Sequence, residues 1–284
     1  MPARNFGAVM ADLSDLGVAA ATGLLQSATE FLPVSSSGHL CLLGMLFEQA
    51  EISLSKVVLV HTGTLLATLV VLREEIVELL IGFTRALRTP RSLLQTAEGK
   101  LVIALLLSTA CTAAVAFPLR RAVAVASETP WLVAMGFLGS AVAVVSTRNR
   151  RGSDPVPSLA SAALIGLAQA IAVFPGVSRS GASIACAVAL NMSPNAAFRY
   201  SFLLSIPAVT GATLLEVSYL GGVDRLQATA WTAAAVAFGA GLLALSWLRR
   251  IVSRGQLWHF AWYLVPLGVA VLAMELFGWM EAKP

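Results

Sequence analysis

Six apolar stretches, each close to the length needed to cross a lipid bilayer, constrain the fold of this chain more than any other feature. Only 12% of the 284 residues are charged, whereas soluble domains carry about 25%. Too few charges therefore remain to cover a surface in water, and we expect an all-α, polytopic membrane protein. No nucleic-acid partner is expected, because no Lys/Arg run alternates with aromatic residues. The six stretches lie at about 57–72, 101–119, 131–147, 200–222, 226–248 and 257–280.

Two further apolar regions, 13–47 and 156–192, are interrupted near the middle by Pro, Gly and Ser. Neither region is long enough for two full crossings at about 20 residues each. An interruption leaves backbone N–H and C=O groups unpaired, so it must be buried in protein or line a wet cavity. Each region is therefore predicted to be a re-entrant helix pair.

The Lys and Arg residues predict an orientation for these helices. With six crossings, the loops 73–100, 148–155 and 249–256 lie on one side, and they hold eleven of the nineteen Lys/Arg. Positively charged loops stay on the cytoplasmic side. We therefore expect both termini and the first re-entrant pair to face outward, and the second pair to face the cytoplasm.

An internal repeat relates the two halves of the chain. Residues 23–38 align with 166–181 at an offset of 143, and eight of sixteen positions are identical, where composition alone would give about one or two. We expect one membrane domain over 1–284, with repeat 1 at about 13–147 and repeat 2 at about 156–280. Each repeat would be one re-entrant pair followed by three transmembrane helices. Three crossings is an odd number, so the repeats would have inverted topology.

The second interruption carries a permanent cation, Arg179, in an otherwise neutral stretch. A charge in this setting must face a cavity and an anion, and intramembrane charges usually mark function. Arginine, hydroxyl groups and glycine backbone together suit a phosphate cradle. The alternative is that Arg179 only neutralises a structural carboxylate such as Glu30. The neighbouring candidate phosphate-binding residues are Gly176, Ser178, Ser180, Gly181 and Ser183.

The first interruption carries a carboxylate and an imidazole. Gln26 and Glu30 are four residues apart and share one helix face, so their oxygens could hold Mg²⁺ or Ca²⁺. His39 could act as a general acid or base, and a serine of the turn could attack phosphorus. The structural alternative is that the serines cap helices and His39 is a hydrogen-bonded core residue. Both interruptions together suit phosphoryl chemistry on an anionic lipid.

At these motifs the chain resembles the bacterial undecaprenyl-pyrophosphate phosphatases, the integral-membrane bacitracin-resistance family. The first family motif corresponds to 26–39, QSATEFLPVSSSGH, and the second to 175–183, PGVSRSGAS. Three positions depart from the family pattern: Gln26 replaces a common glutamate, Ser183 replaces the final threonine, and His61 stands where glutamine is expected.

The resemblance implies hydrolysis of undecaprenyl pyrophosphate to undecaprenyl phosphate, which recycles the lipid carrier for peptidoglycan and cell-wall synthesis and confers bacitracin resistance. It implies a bacterial inner-membrane protein with an active site open to the periplasm. Membrane lipids are further expected partners, and a homodimer is one possible assembly. A polyprenyl-phosphate transporter or flippase is the alternative function, because broken helices in inverted repeats are typical of transporters.

The resemblance also implies roles for individual residues. Glu30 and Gln26 would serve a divalent cation, Mg²⁺ or Ca²⁺, and Arg179 would grip the pyrophosphate. Ser36 would be the nucleophile or orient a water molecule, and His39 would transfer protons. The residues expected to bind phosphate oxygens or to let the backbone approach them are Ser35, Ser37, Gly176, Ser178, Ser180, Gly181 and Ser183, beside Gln26.

Overall fold

The computed structural model describes residues 6–46, 54–220 and 228–279, and regular structure in these residues is helical. An isolated bridge between Asp154 and Met192 is the one β-type pairing in this part of the chain. A short 3₁₀ helix, Leu257–Phe260, precedes the last α-helix. The α-helices are α1 Phe6–Phe31, α2 Ser36–Leu46, α3 Leu54–Val71, α4 Arg73–Arg88, α5 Ser92–Gln95, α6 Ala97–Ala116, α7 Arg120–Ser127, α8 Pro130–Val145, α9 Leu159–Ile171, α10 Arg179–Ala189, α11 Pro194–Leu220, α12 Ala228–Ser253 and α13 Ala261–Leu276.

Four segments of the described chain are long and apolar enough to cross a membrane, which confirms a multi-pass helical membrane protein. They are Ala97–Ala116, Pro194–Leu215, Thr229–Ser253 and Leu257–Leu276. A fifth candidate is the pair α7 and α8, which meet at a bend of 105°. The apolar stretches predicted at 57–72 and 131–147 also form helices, α3 with 18 residues and α8 with 16.

Both predicted interruptions separate two helices. The first lies between α1 and α2, and the second lies between α9 and α10. Helices α2 and α10 begin and end at positions that differ by 143 residues, the offset of the sequence repeat. The helix before each break packs against a helix of the other half of the chain: α1 contacts α12, and α9 contacts α6.

A serine caps the helix that follows each break. The hydroxyl of Ser35 accepts a hydrogen bond from the Gly38 N–H at 3.3 Å, and that of Ser178 accepts one from the Gly181 N–H at 3.1 Å. These contacts satisfy N–H groups that a helix start leaves unpaired. These two serines therefore cap helices, and their role in binding phosphate stays a prediction.

Close backbone packing against α8 brings the two breaks together. A Cβ atom added to Gly38 would lie 2.7 Å from the Gly176 Cα, and one added to Gly136 of α8 would collide with the Pro175 carbonyl oxygen. Gly176 has a φ of 84°, which favours glycine. The Ser140 hydroxyl also joins α8 to the second break, since it accepts from the Ser178 N–H at 2.7 Å and donates to the Gly176 carbonyl at 3.0 Å.

Candidate active site

An ion pair between Glu30 and Arg179 joins the two breaks. Glu30 lies in the last turn of α1, and Arg179 is the first residue of α10. The side chain of Glu30 is only 6% exposed and that of Arg179 24%. A charge in such a setting requires an opposite charge or an anionic ligand nearby, and here each residue provides the other's partner.

The second carboxylate oxygen of Glu30 accepts two further hydrogen bonds. The Ser36 hydroxyl donates to Oε2 at 2.6 Å, and the Gln26 amide nitrogen donates to the same atom at 3.2 Å. Ser36 is the first residue of α2, so the break itself brings this hydroxyl to the end of α1. A short hydrogen bond from a hydroxyl to a carboxylate is the arrangement in which the carboxylate can remove the hydroxyl proton.

Serine pairs with the same spacing lie at both breaks. The hydroxyl oxygens of Ser35 and Ser37 are 3.3 Å apart, and those of Ser178 and Ser180 are 3.2 Å apart. Each pair lies at the N-terminus of a helix, α2 or α10, where unpaired N–H groups favour anions.

Both breaks line one cavity of about 460 Å³. Its wall holds the ion pair and polar groups from both halves of the chain, so a phosphate group in it would meet the guanidinium and several hydroxyls. The polar and charged residues that line it are Thr29, Glu30, Ser35, Ser36, Ser37, His61, Thr112, Gln169, Ser178 and Arg179.

Six of the predicted site residues do not line this cavity; they are Gln26, His39, Gly176, Ser180, Gly181 and Ser183. The hydroxyl of Ser183 donates to the Arg179 carbonyl at 2.7 Å and contacts the Ser201 hydroxyl at 2.6 Å, and Ser183 is fully buried. The glycines 176 and 181 pack closely, Gly176 against α8 and Gly181 against Pro33 and the Ser178 side chain. Gln26 is buried and reaches the site through its hydrogen bond to Glu30.

His39 faces another part of the protein. Its Nδ1 is 2.8 Å from the Ser35 carbonyl oxygen and its Nε2 is 2.6 Å from the Tyr263 hydroxyl, while its ring meets the Phe137 ring edge-on. His39 is absent from the described residues that line the cavity, and Ser36 donates to Glu30 instead. The structure therefore does not bring the imidazole to the Ser36 hydroxyl, and a catalytic role for His39 stays a prediction.

Gln169 is a site residue that the sequence analysis missed. It lines the cavity, its exposed fraction is 3%, and its Oε1 has no hydrogen-bond partner among the described residues. Its amide nitrogen donates to the Thr112 hydroxyl at 3.4 Å. The signal was present in the repeat, because Gln169 aligns with Gln26 at the offset of 143.

The donor set suits a divalent cation only in part. Within the described ranges, no three His, Cys, Asp or Glu side chains lie close enough together to hold a metal ion. Glu30 offers one carboxylate, and the Ser36 hydroxyl and Gln26 amide lie beside it. Mg²⁺ is commonly held by one or two carboxylates together with substrate phosphates. The residues therefore fit a cation that arrives with a phosphate ligand, and they do not form a complete cage of protein ligands.

Comparison with known proteins identifies the family of this chain. The family described as bacitracin resistance protein BacA matches residues 19–270. An undecaprenyl-diphosphatase of Korarchaeum cryptofilum is 37% identical over 254 residues, which cover 89% of this chain and 96% of that relative. Undecaprenyl-diphosphatases of Desulfosudis oleivorans and Oceanobacillus iheyensis are 38% and 34% identical, each over 88% of this chain and 95% and 93% of the relative. This chain, with its two paired breaks around one ion pair, belongs to the bacitracin resistance protein BacA family.

Proposed function

We propose that this chain hydrolyses undecaprenyl pyrophosphate to undecaprenyl phosphate and phosphate. Both breaks meet at one cavity, and this observation carries the proposal. There Arg179 contacts Glu30, and the Ser36 hydroxyl donates a hydrogen bond to the Glu30 carboxylate at 2.6 Å. Membership of the family and the names of the relatives support the same reaction. The product of this reaction is the lipid carrier of cell-wall precursors. An abundance of the protein would confer bacitracin resistance.

Ser36 and Glu30 form the reactive pair in this proposal. The Ser36 Oγ attacks the terminal phosphorus while its proton passes to Glu30 Oε2. The bond from this phosphorus to the bridging oxygen breaks, and undecaprenyl phosphate leaves. Water then attacks the phosphorus of the phosphoserine, and the bond from this phosphorus to the Ser36 Oγ breaks. Ser36 takes back the proton that Glu30 held, and the released phosphate keeps the oxygen and the two protons of the water molecule.

Arg179 and the two helix starts bind the phosphate groups. A guanidinium has five N–H donors, so contact with Glu30 leaves others for phosphate oxygens. The N-termini of α2 and α10 and the serines beside them add neutral donors. Donors held in place at the site would stabilise the charge that develops in the transition state.

We also propose a divalent cation, Mg²⁺ or Ca²⁺, held by Glu30 together with the pyrophosphate. Gln26, whose amide nitrogen donates to Glu30 in this structure, would join it by turning its amide oxygen toward the ion. When bound, it would neutralise charge on the phosphate oxygens. Calorimetric titration of the purified chain with Ca²⁺ is expected to show little binding alone and clear binding with a non-hydrolysable pyrophosphate analogue. Tight binding without the analogue, unchanged in Glu30→Gln, would contradict this assignment.

The architecture that we propose is an inverted repeat with two re-entrant pairs. The equal offsets of α2 and α10 and of their caps support it. We propose from this arrangement and the positive loops that the chain lies in the bacterial inner membrane, with the cavity open to the periplasm.

One experiment separates the phosphatase from the alternative transporter. The purified chain is placed in vesicles that contain undecaprenyl pyrophosphate, with Mg²⁺ or Ca²⁺ present, and both phosphate release and lipid movement across the bilayer are measured. We expect phosphate release that depends on the chain. Lipid movement without phosphate release would favour the transporter and overturn the proposal.

A further inference from the structure

A second cavity, of about 710 Å³, lies where α12 ends and α13 begins, and one of its lining residues, Tyr263, contacts His39 of α2. The turn that forms this cavity joins two segments that are long enough to cross a membrane, Thr229–Ser253 and Leu257–Leu276. A turn between two crossing helices lies at a membrane surface, whichever way the protein is oriented. We call this cavity the α12–α13 crevice; its charged and aromatic wall comprises Trp247, Arg250, Arg254, His259, Trp262 and Tyr263.

Two cations of the α12–α13 crevice have no counter-charge. Arg250 and Arg254 are exposed, and their guanidinium groups make no ion pair or hydrogen bond with any residue in the described ranges. Their neighbour Arg249 differs, since it lies 3.6 Å from the buried carboxylate of Glu75. The crevice therefore presents two free positive charges to an anion.

Much of the rest of the wall is aromatic and exposed. The exposed fractions are 51% for Trp247, 76% for Trp262 and 47% for Tyr263. Tryptophan and tyrosine favour the level of lipid headgroups, where an apolar ring and a polar edge are both satisfied. A small inorganic anion would use the arginines and leave these rings without a contact, whereas a lipid would use both.

We propose that the α12–α13 crevice is a binding site for an anionic phospholipid, with the headgroup phosphate on Arg250 and Arg254 and the upper acyl chain against Trp247 and Trp262. Charge complementarity selects an anionic over a zwitterionic headgroup. The site is separate from the proposed catalytic cavity, with which it shares none of its lining residues.

The test compares lipid retention by the full-length chain in native mass spectrometry. Phosphatidylglycerol or phosphatidylcholine is titrated onto the detergent-purified wild type, the double variant R250Q/R254Q and the control R85Q/R88Q. The control removes two exposed arginines of α4 and so changes the net charge equally. A single variant, R254Q, gives a second measure if the double variant is unstable.

We expect the wild type to prefer phosphatidylglycerol, and R250Q/R254Q to weaken its binding roughly thirtyfold, the effect of losing two basic contacts at a membrane surface. R254Q alone should weaken it about fivefold, and R85Q/R88Q less than about threefold. Equal losses in both double variants, or none, would overturn the proposal. So would displacement of the lipid by inorganic phosphate, or a dimer that forms through this surface and excludes lipid.

Discussion

At the scale of single residues, the Ser36 hydroxyl is the group on which the proposed chemistry depends. Ser36→Ala removes the nucleophile and is expected to lower phosphate release at least about a hundredfold. Ser37→Ala is the matched control, because Ser37 lines the same cavity but contacts Ser35 and not Glu30. We expect a loss of less than about tenfold for the control, the scale of one neutral hydrogen bond. Full turnover in Ser36→Ala would favour direct attack by water.

Gln169 offers a test in which stability and activity change in opposite directions. Its buried Oε1 lacks a partner in the described chain, and such a group costs about 1–3 kcal/mol of stability. Gln169→Met keeps the volume and removes this cost, so the thermal midpoint should stay equal or rise. Phosphate release should fall about tenfold, because a cation that arrives with the pyrophosphate would give Oε1 the partner that it lacks without substrate. A lower thermal midpoint with unchanged phosphate release would show that Gln169 has only a structural role.

The charged residues of the candidate site were easier to predict from sequence than the neutral residues. Glu30 and Arg179 are conspicuous because charges are rare in such apolar surroundings. The contact of His39 with Tyr263 joins residues 224 positions apart, and no local spacing indicates it. Gln169 looks like one more polar residue in an apolar helix until the fold turns it toward the cavity.

At the scale of helices, the packing of α8 against the second break holds the site together. A side chain at Gly136 would collide with the backbone of Pro175 and Gly176, whereas one at Gly139 would meet nothing within 4 Å. Gly136→Ala is therefore expected to destabilise the protein by about 1–3 kcal/mol and to reduce phosphate release. Gly139→Ala, in the same helix, should be neutral or slightly stabilising. Equal thermal midpoints for the two variants would contradict this packing role.

The positions of the two breaks followed directly from Pro, Gly and Ser within apolar regions, because lipid cannot satisfy an open backbone. The contact between the two breaks could not be predicted in this way, since it depends on glycines of both breaks that fit closely against α8. The lengths of the membrane-crossing helices were harder to predict than the positions of the breaks, as α7 illustrates. It meets α8 at 105°; Pro130 marks the break between the two helices, but a proline does not specify the angle.

At the scale of the whole molecule, the uneven distribution of Lys and Arg predicts the orientation. Arg88 ends α4 and Glu128 follows α7, so these two positions lie on either side of the crossing helix α6. With Cys41, Cys111 and Cys186 replaced by alanine, Arg88→Cys should react with an impermeant thiol reagent only after the cells are opened. Glu128→Cys should react in intact cells. The reverse pattern would invert the predicted topology.

The central claim is that two breaks from opposite halves of the chain form one phosphate-hydrolysing site. Its most direct test is phosphate release from undecaprenyl pyrophosphate by the purified wild type, Arg179→Ala and Glu30→Ala, with a divalent cation present. We predict release by the wild type and a loss of at least about a hundredfold in each variant, the scale of losing one electrostatic contact to the transition state. Undiminished release in both variants would contradict the claim.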